Sequence, residues 1–339
     1  MKYRVVEAAQ LGGPEVLQVV EKELPELETN QVRIRVIASA VTGPDLTVRQ
    51  GEALYSGTPL GKKAPLIPGY AVIGDVIAVG EDVDPDLLGS RVGVLTVVGG
   101  YTEMLQWRAD RLIPVPESID PVKGIPLLLN YLVAYQTLHR SAGVNAGETI
   151  LIIGASGGIG TALLDLGKLA GLKMYGLASG KKHTALALFE AELFDYRTQE
   201  YLSILRESEP AGIDAVLAGV MTPDYIKAGL SLLRRGGMVV GFGEPENFSD
   251  LFRVLGRMVL TNLTPNGKQV KVYGTSTYFL FSQQPYLDDW AELFRLLEQG
   301  SIQPVIMERI PLLEAARANQ LLESGDVIGN LVLAAPEYL

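Results

Sequence analysis

Residues 148–160 read ETILIIGASGGIG. The apolar run Ile150, Leu151, Ile152, Ile153 predicts a buried strand, which leads straight into a glycine-rich turn ending at Gly160. Residues 161–172, TALLDLGKLAGL, then carry apolar side chains at helical spacing as far as Gly171. Strand, glycine turn and helix in that order are the context a dinucleotide fingerprint requires. An early glycine permits the tight turn, a middle one lets backbone N–H groups approach a pyrophosphate, and the last lets helix pack on strand. The phosphates then meet the positive end of the helix dipole. Gly154, Ser156, Gly157, Gly158 and Ile159 are therefore candidate nucleotide-binding residues.

The second strand selects the nucleotide. In NAD-binding units an acidic residue about twenty positions beyond the glycine turn holds the ribose 2′-hydroxyl. Here that strand ends Gly176, Leu177, Ala178, Ser179, Gly180, Lys181, Lys182, with no Asp or Glu and two lysines at once. A hydroxyl and an ammonium suit a 2′-phosphate, and each charge-assisted contact contributes about 1.5–3 kcal/mol. Basic charge at a helix start also opposes the dipole, which argues against lysines placed there for solvation alone. NADP(H) is the expected cofactor, held by Ser179 and by Lys181 or Lys182; the sequence does not choose between the two lysines.

Composition narrows the class. The 339 residues suggest two domains, and 47% hydrophobic with 20% charged residues is ordinary for a globular protein. A net charge of −10 argues against a general nucleic-acid binder. The opening MKYRVVEAAQ is too polar for a signal peptide and no apolar run reaches transmembrane length, so a cytoplasmic protein with no membrane partner is expected. The chain has no cysteine and two histidines, His139 and His183, which excludes disulfides, thiolate chemistry and cysteine-ligated zinc. No metal site is expected.

Residues 1 to about 123 read as β-rich, with period-two strands at 3–7, 16–20 and 31–38 and further strands at 72–79 and 91–98. Residues 41–68 are rich in proline and glycine and read as a long loop. From Pro121 the pattern turns helical and then alternates strand and helix, which implies a parallel, doubly wound sheet with ligand at the strand carboxyl ends. Residues 251–262 read as leading into a sixth strand; 255–261 and 268–273 read as edge strands through which a second copy could pair. On that reading, lysine at Val270 or Val272 would yield monomers.

The ordered landmarks resemble the medium-chain dehydrogenase/reductase superfamily, and within it the zinc-independent quinone oxidoreductase (zeta-crystallin-like) branch. Gly12–Val19 (GGPEVLQV) looks like that branch's N-terminal hairpin, and Pro44, Asp45, Leu46 with Arg49 and Gly51 resemble its substrate-side segment. PGYAVIGDVIAVG at 68–80, GGYTEML at 99–105, NYLVAYQTL at 130–138, GGMVVGFG at 236–243 and the C-terminal GSIQPVI and PLLEAARANQLLESGDVIGNLVL follow in the same order. The resemblance implies a β-rich GroES-like catalytic domain (1–123 and 285–339) and a Rossmann NADP-binding domain (124–284), an α/β class, with cofactor in the cleft between them and a homodimer formed through the edge strand of the cofactor domain. It further implies that Tyr196, Gly241, Phe242 and Asn330 bind cofactor, the last standing where the branch has a lysine.

The expected activity is hydride transfer from NADPH to a quinone or similar conjugated carbonyl. The alternatives are reduction of enone, alkenal or enoyl-thioester double bonds, and nucleotide binding with little turnover. Zinc-dependent members carry His and Glu where this chain has Tyr70 and Ala71, and without a Lewis acid alcohol dehydrogenation in that style is not expected. The developing oxyanion needs a donor, and Tyr55, Tyr70, Thr42 and Asn130 are the candidates on the substrate side. Tyr70 could equally fill the space of the missing metal, Tyr55 could face solvent, and Asp45 is favoured as a helix cap over a substrate ligand. The branch's asparagine is absent near Thr42, and Val133 replaces a threonine beside the nicotinamide.

Overall fold

The computed structural model describes residues 2–53, 56, 61–243, 245, 247–274 and 283–339. It divides into two compact units, Met1–Leu129 with Trp290–Leu339, and Asn130–Asp289.

The first unit opens with a two-stranded antiparallel ribbon, β1 (Lys2–Ala8) on β2 (Leu17–Glu23). Its main sheet is built on β3 (Gln31–Val41), whose side chains alternate inward and outward at first and are then buried without a break. After β3 come α1 (Gly43–Gln50), β4 (Ala71–Val79), β5 (Arg91–Leu95), β6 (Met104–Arg108), β7 (Ile113–Pro114) and α2 (Pro121–Pro126). The helix α1 sits inside the stretch expected to be loop. Its prolines and glycines mark its ends: Pro44 falls in the first turn, where its missing N–H costs nothing, and Gly51 closes the helix at φ +76°.

The second unit holds the fingerprint. In order it contains α3 (Leu132–Tyr135), β8 (Thr149–Ile153), α4 (Gly158–Leu169), β9 (Lys173–Leu177), α5 (His183–Leu186), β10 (Glu192–Phe194), α6 (Tyr201–Ser208), β11 (Ile213–Ala218), α7 (Pro223–Leu232), β12 (Leu233–Gly241), α8 (Phe248–Leu263) and β13 (Gln269–Val272). All neighbours pair in parallel in the order β10-β9-β8-β11-β12-β13. This is the doubly wound arrangement in which strand order reverses beside the first strand, β8. Every residue of β8 is buried, as a strand covered on both faces must be.

The chain returns to the first unit within α9 (Gln284–Glu298) and adds β14 (Ile306–Pro311), α10 (Ala315–Glu323) and β15 (Asn330–Ala334). The first unit's main sheet then runs β14-β15-β3-β4-β5-β7, with β6 also on β3.

Two sequence expectations are corrected here. Residues 251–262 form no strand: Phe248, Phe252, Leu255, Val259 and Leu263 recur at helical spacing, and the Asn247 side chain caps α8 by accepting from Asp250 N at 2.9 Å. Of the two stretches expected as edge strands, only the second forms one among the described residues, as β13, and at Val270 its edge is already closed. Val270 N donates to Asn262 Oδ1 at 2.9 Å while Asn262 Nδ2 donates to Val270 O at 3.0 Å, so the amide acts as a short surrogate strand. Val270 itself is fully buried, and lysine there would break the core before it tested any interface.

Candidate functional site

At the end of β8 the backbone turns through Gly154 at φ +85°, and α4 starts at Gly158 with no side chain capping it. The first-turn amides therefore keep the orientation that receives an anion. A Cβ on Gly160 would lie 2.1 Å from Gly154 O and 2.7 Å from Ala155 Cα, so only glycine lets this helix pack against its strand. A Cβ on Gly157 would meet nothing closer than Gly154 O at 3.7 Å, which leaves the middle of the turn open. These features fit a pyrophosphate: a glycine-rich turn leading into an uncapped helix N-terminus.

Gly219, Gly241 and Phe242 complete the same end of the sheet. Gly219 N donates to Ile153 O at 3.0 Å and Phe242 N to Ala218 O at 3.0 Å, bringing the ends of β8, β11 and β12 together. The Phe242 ring covers Gly219, where an added Cβ would approach it to 3.1 Å.

Beyond β9, Ser179 is buried and its carbonyl accepts from Lys182 N at 2.9 Å. Lys182 is only 7% exposed, and its ammonium reaches back to Ser156 Oγ at 3.3 Å, whereas Lys181 is exposed. Tyr196 stands partly exposed with the Arg197 guanidinium 5.5 Å from its ring centroid. Sequence reading missed Asp195 here. Its carboxylate comes across from the end of β10 and accepts from Gly180 N at 2.9 Å and Arg197 N at 3.0 Å. The two backbone donors hold it below the ordinary aspartate range, with nearby Arg197 and His183 acting in the same direction.

In the first unit, chemistry gathers around Asp45. Its Oδ2 accepts from Thr42 N at 2.8 Å and Thr42 Oγ1 at 2.7 Å, and its Oδ1 accepts from Gly69 N at 2.8 Å. One carboxylate thus pins both Thr42 and the residue before Tyr70. The cap expected of Asp45 is made from inside α1, as the third residue of its first turn. The Tyr70 carbonyl accepts from Thr96 N at 2.9 Å and Val97 N at 3.1 Å, and Val97 holds φ +62°, a strained value for a β-branched residue. Burial pushes the Asp45 pKa up to about 6 against the opposing hydrogen bonds from Thr42, Gly69 and Tyr101.

Arg49, in the segment that resembles the branch's substrate side, is held within the first unit. It is fully buried, donates to Asn319 Oδ1 at 3.2 Å, and also bonds Glu323 and Gly12 O. Asn319 in turn donates to Tyr101 Oη at 3.1 Å. Asn130 begins the second unit in a helical stretch, and Val133 is buried nearby. Asn330 opens β15 in the first unit and donates its amide to Val305 O at 2.8 Å. Tyr55 lies outside the described residues. Among the described residues no three His, Cys, Asp or Glu side chains gather in a way that could hold a metal ion, and no helix is long and apolar enough to cross a membrane.

Residues 28–117 match the family described as alcohol dehydrogenase GroES-like domain, and residues 190–333 that described as zinc-binding dehydrogenase. The chain is 30% identical to the quinone oxidoreductase of Homo sapiens over 336 residues, covering 97% of each protein. A crystal structure of human synaptic vesicle membrane protein VAT-1 homolog-like protein superposes with a TM-score of 0.82 at 26% identity, covering 99% of both chains. The JamJ enoyl reductase shares the fold with a TM-score of 0.87 at 21% identity, over 99% of this chain and all of the other.

Proposed function

This chain belongs to the medium-chain dehydrogenase/reductase superfamily, in its quinone oxidoreductase branch, and we propose that it transfers hydride from NADPH to a quinone or similar conjugated carbonyl without zinc. The observation that carries the cofactor choice is the buried Lys182 ammonium laid against Ser156 of the glycine turn, a positive charge built into the place where phosphate would sit. The nicotinamide supplies the hydride when bound. The chain's own residues position and neutralise. The open amides of α4 receive the pyrophosphate, Lys182 and Ser179 receive the 2′-phosphate, and Gly241 and Phe242 border the strand ends.

On the acceptor side we assign Tyr70 as donor to the oxygen on which charge builds. The Thr42 hydroxyl directs its proton to Asp45, so toward a substrate it offers lone pairs only. The zinc-free reading rests on donor chemistry: the chain has no cysteine, and Tyr70 and Ala71 follow Pro68 and Gly69. A second copy is the proposed partner, seated on the cofactor unit where α8 leaves Phe252 and Leu263 69% and 79% exposed beside β13. Joint Phe252→Glu and Leu263→Glu substitution should halve the sedimenting mass; an unchanged mass removes this surface.

Stopped-flow oxidation of NADPH against a panel of quinones and enones tests the reaction. Turnover with quinones is expected. Turnover with enones or enoyl thioesters alone would make the chain a double-bond reductase, and nucleotide binding with no acceptor reduced would remove both enzymatic readings.

A further inference from the structure

Asp195 occupies a position that the second strand of the sheet leaves vacant. β9 ends without an acid, but β10 lies beside it in parallel register, Phe194 opposite Leu177, so the next residue of β10 falls at the carboxyl end of β9. From there the Asp195 carboxylate reaches Gly180 N at 2.9 Å, directly after Ser179, and its other oxygen takes Arg197 N at 3.0 Å. It packs so closely that a Cβ on Gly180 would stand 2.9 Å from Asp195 Oδ2. The group is thus fixed by two backbone amides, while a carboxylate has about four lone-pair positions to offer.

A chain of contacts ties this carboxylate to the glycine turn. Gly180 follows Ser179, the Ser179 carbonyl holds Lys182 N, and Lys182 Nζ reaches Ser156 Oγ at 3.3 Å. Lys181, Lys182 and His183 after β9, and Glu192, Tyr196, Arg197 and Glu200 on its own segment, are charged or titratable groups around it, of which Arg197 and His183 act on it directly. The site therefore holds both kinds of group that sort the two nicotinamide nucleotides: cations that attract a 2′-phosphate, and an anion that repels it and can accept from a 2′-hydroxyl.

We propose that Asp195, supplied from the neighbouring strand, determines cofactor specificity, accepting the adenosine ribose 2′-hydroxyl of NADH and opposing the 2′-phosphate of NADPH, so that the chain binds both. The proposal rests on the nucleotide reading above and sets its selectivity: NADPH is preferred through Lys182, and Asp195 keeps the preference small. Removing the charge releases the phosphate from repulsion and deprives the ribose hydroxyl of its acceptor.

The test is equilibrium titration of the full chain with NADPH and with NADH, followed by intrinsic fluorescence, for the unsubstituted protein, Asp195→Asn, Asp195→Ser and Asp195→Glu. The ratio of the NADH to the NADPH Kd should rise about tenfold in Asp195→Asn and Asp195→Ser, through tighter NADPH and weaker NADH binding, and stay near the original in Asp195→Glu. Added salt should shrink the gain in NADPH affinity, because the repulsion removed is electrostatic. An unchanged ratio in both neutral variants overturns the proposal, as does an equal weakening of both nucleotides, which marks a merely structural carboxylate. Binding of neither nucleotide by the unsubstituted chain would instead remove the nucleotide reading, and this proposal with it.

Discussion

The glycine turn after β8 and the Asp45 centre of the first unit are built from opposite materials. In the turn the geometry is set by backbone: Gly154 turns the chain at positive φ, Gly160 leaves no room for a Cβ, and the first amides of α4 have no side-chain cap. Around Asp45 a single buried side chain sets it, holding Thr42 beside it and reaching Gly69, 24 residues further along the chain. At Gly160 the turn tolerates no added side chain, whereas Gly154 and Gly157 leave room for one. A site made of one carboxylate tolerates no removal, because the donors it satisfies would be left buried and unpaired.

Gly160 carries the largest expected effect. Gly160→Ala drives a Cβ into backbone that cannot withdraw, at 2.1 Å from Gly154 O, and should cost at least about 3 kcal/mol in chemical denaturation along with all nucleotide-induced thermal stabilisation. Gly154→Ala meets nothing within 4 Å and pays only for its φ of +85°, about 1–2 kcal/mol. Equal costs for the two would show that steric exclusion is not what shapes the turn.

Asp45 comes next. Asp45→Ala strands the Thr42 and Gly69 N–H groups and should destabilise by about 2–3 kcal/mol. The same carboxyl gives a pH signature. With its folded pKa pushed up to about 6, it holds its proton more tightly folded than unfolded. Its contribution is fully present below the unfolded value of about 3.9 and is lost as pH rises through the folded one. Urea titrations between those limits, run on the unsubstituted chain and on Asp45→Asn, should differ by a contribution that falls as pH rises; a difference that does not change with pH would mean that Asp45 does not titrate there. The smallest effect is at Lys182, where Lys182→Ala should weaken NADPH about tenfold by titration and NADH far less. Equal losses would mean that Lys182 does not read the 2′-phosphate.

The strand, turn and helix of the fingerprint were legible because each is encoded within a few residues: apolar runs, a glycine that can hold positive φ, and helical spacing. The alternation that follows it carried the parallel sheet for the same reason. The misreadings were also local. Pro44 and Gly51 read as loop residues but mark the two ends of α1, and the Val- and Leu-rich stretch at 251–262 reads as leading into a strand although its apolar face repeats every three to four residues.

By itself, then, the order of residues determined the two-part α/β plan, the position of the glycine turn and the chemistry the chain lacks, since no cysteine can be supplied by folding. Tertiary structure alone decided which side chains meet: Lys182 with Ser156, Asp45 with Gly69, Arg49 with Asn319, Asn262 with Val270, and Asp195 with Gly180. These pairings depend on which strands and helices lie side by side, and no local propensity carries that. The acid that the second strand lacks in sequence is returned to the glycine turn's neighbourhood by the strand next to it.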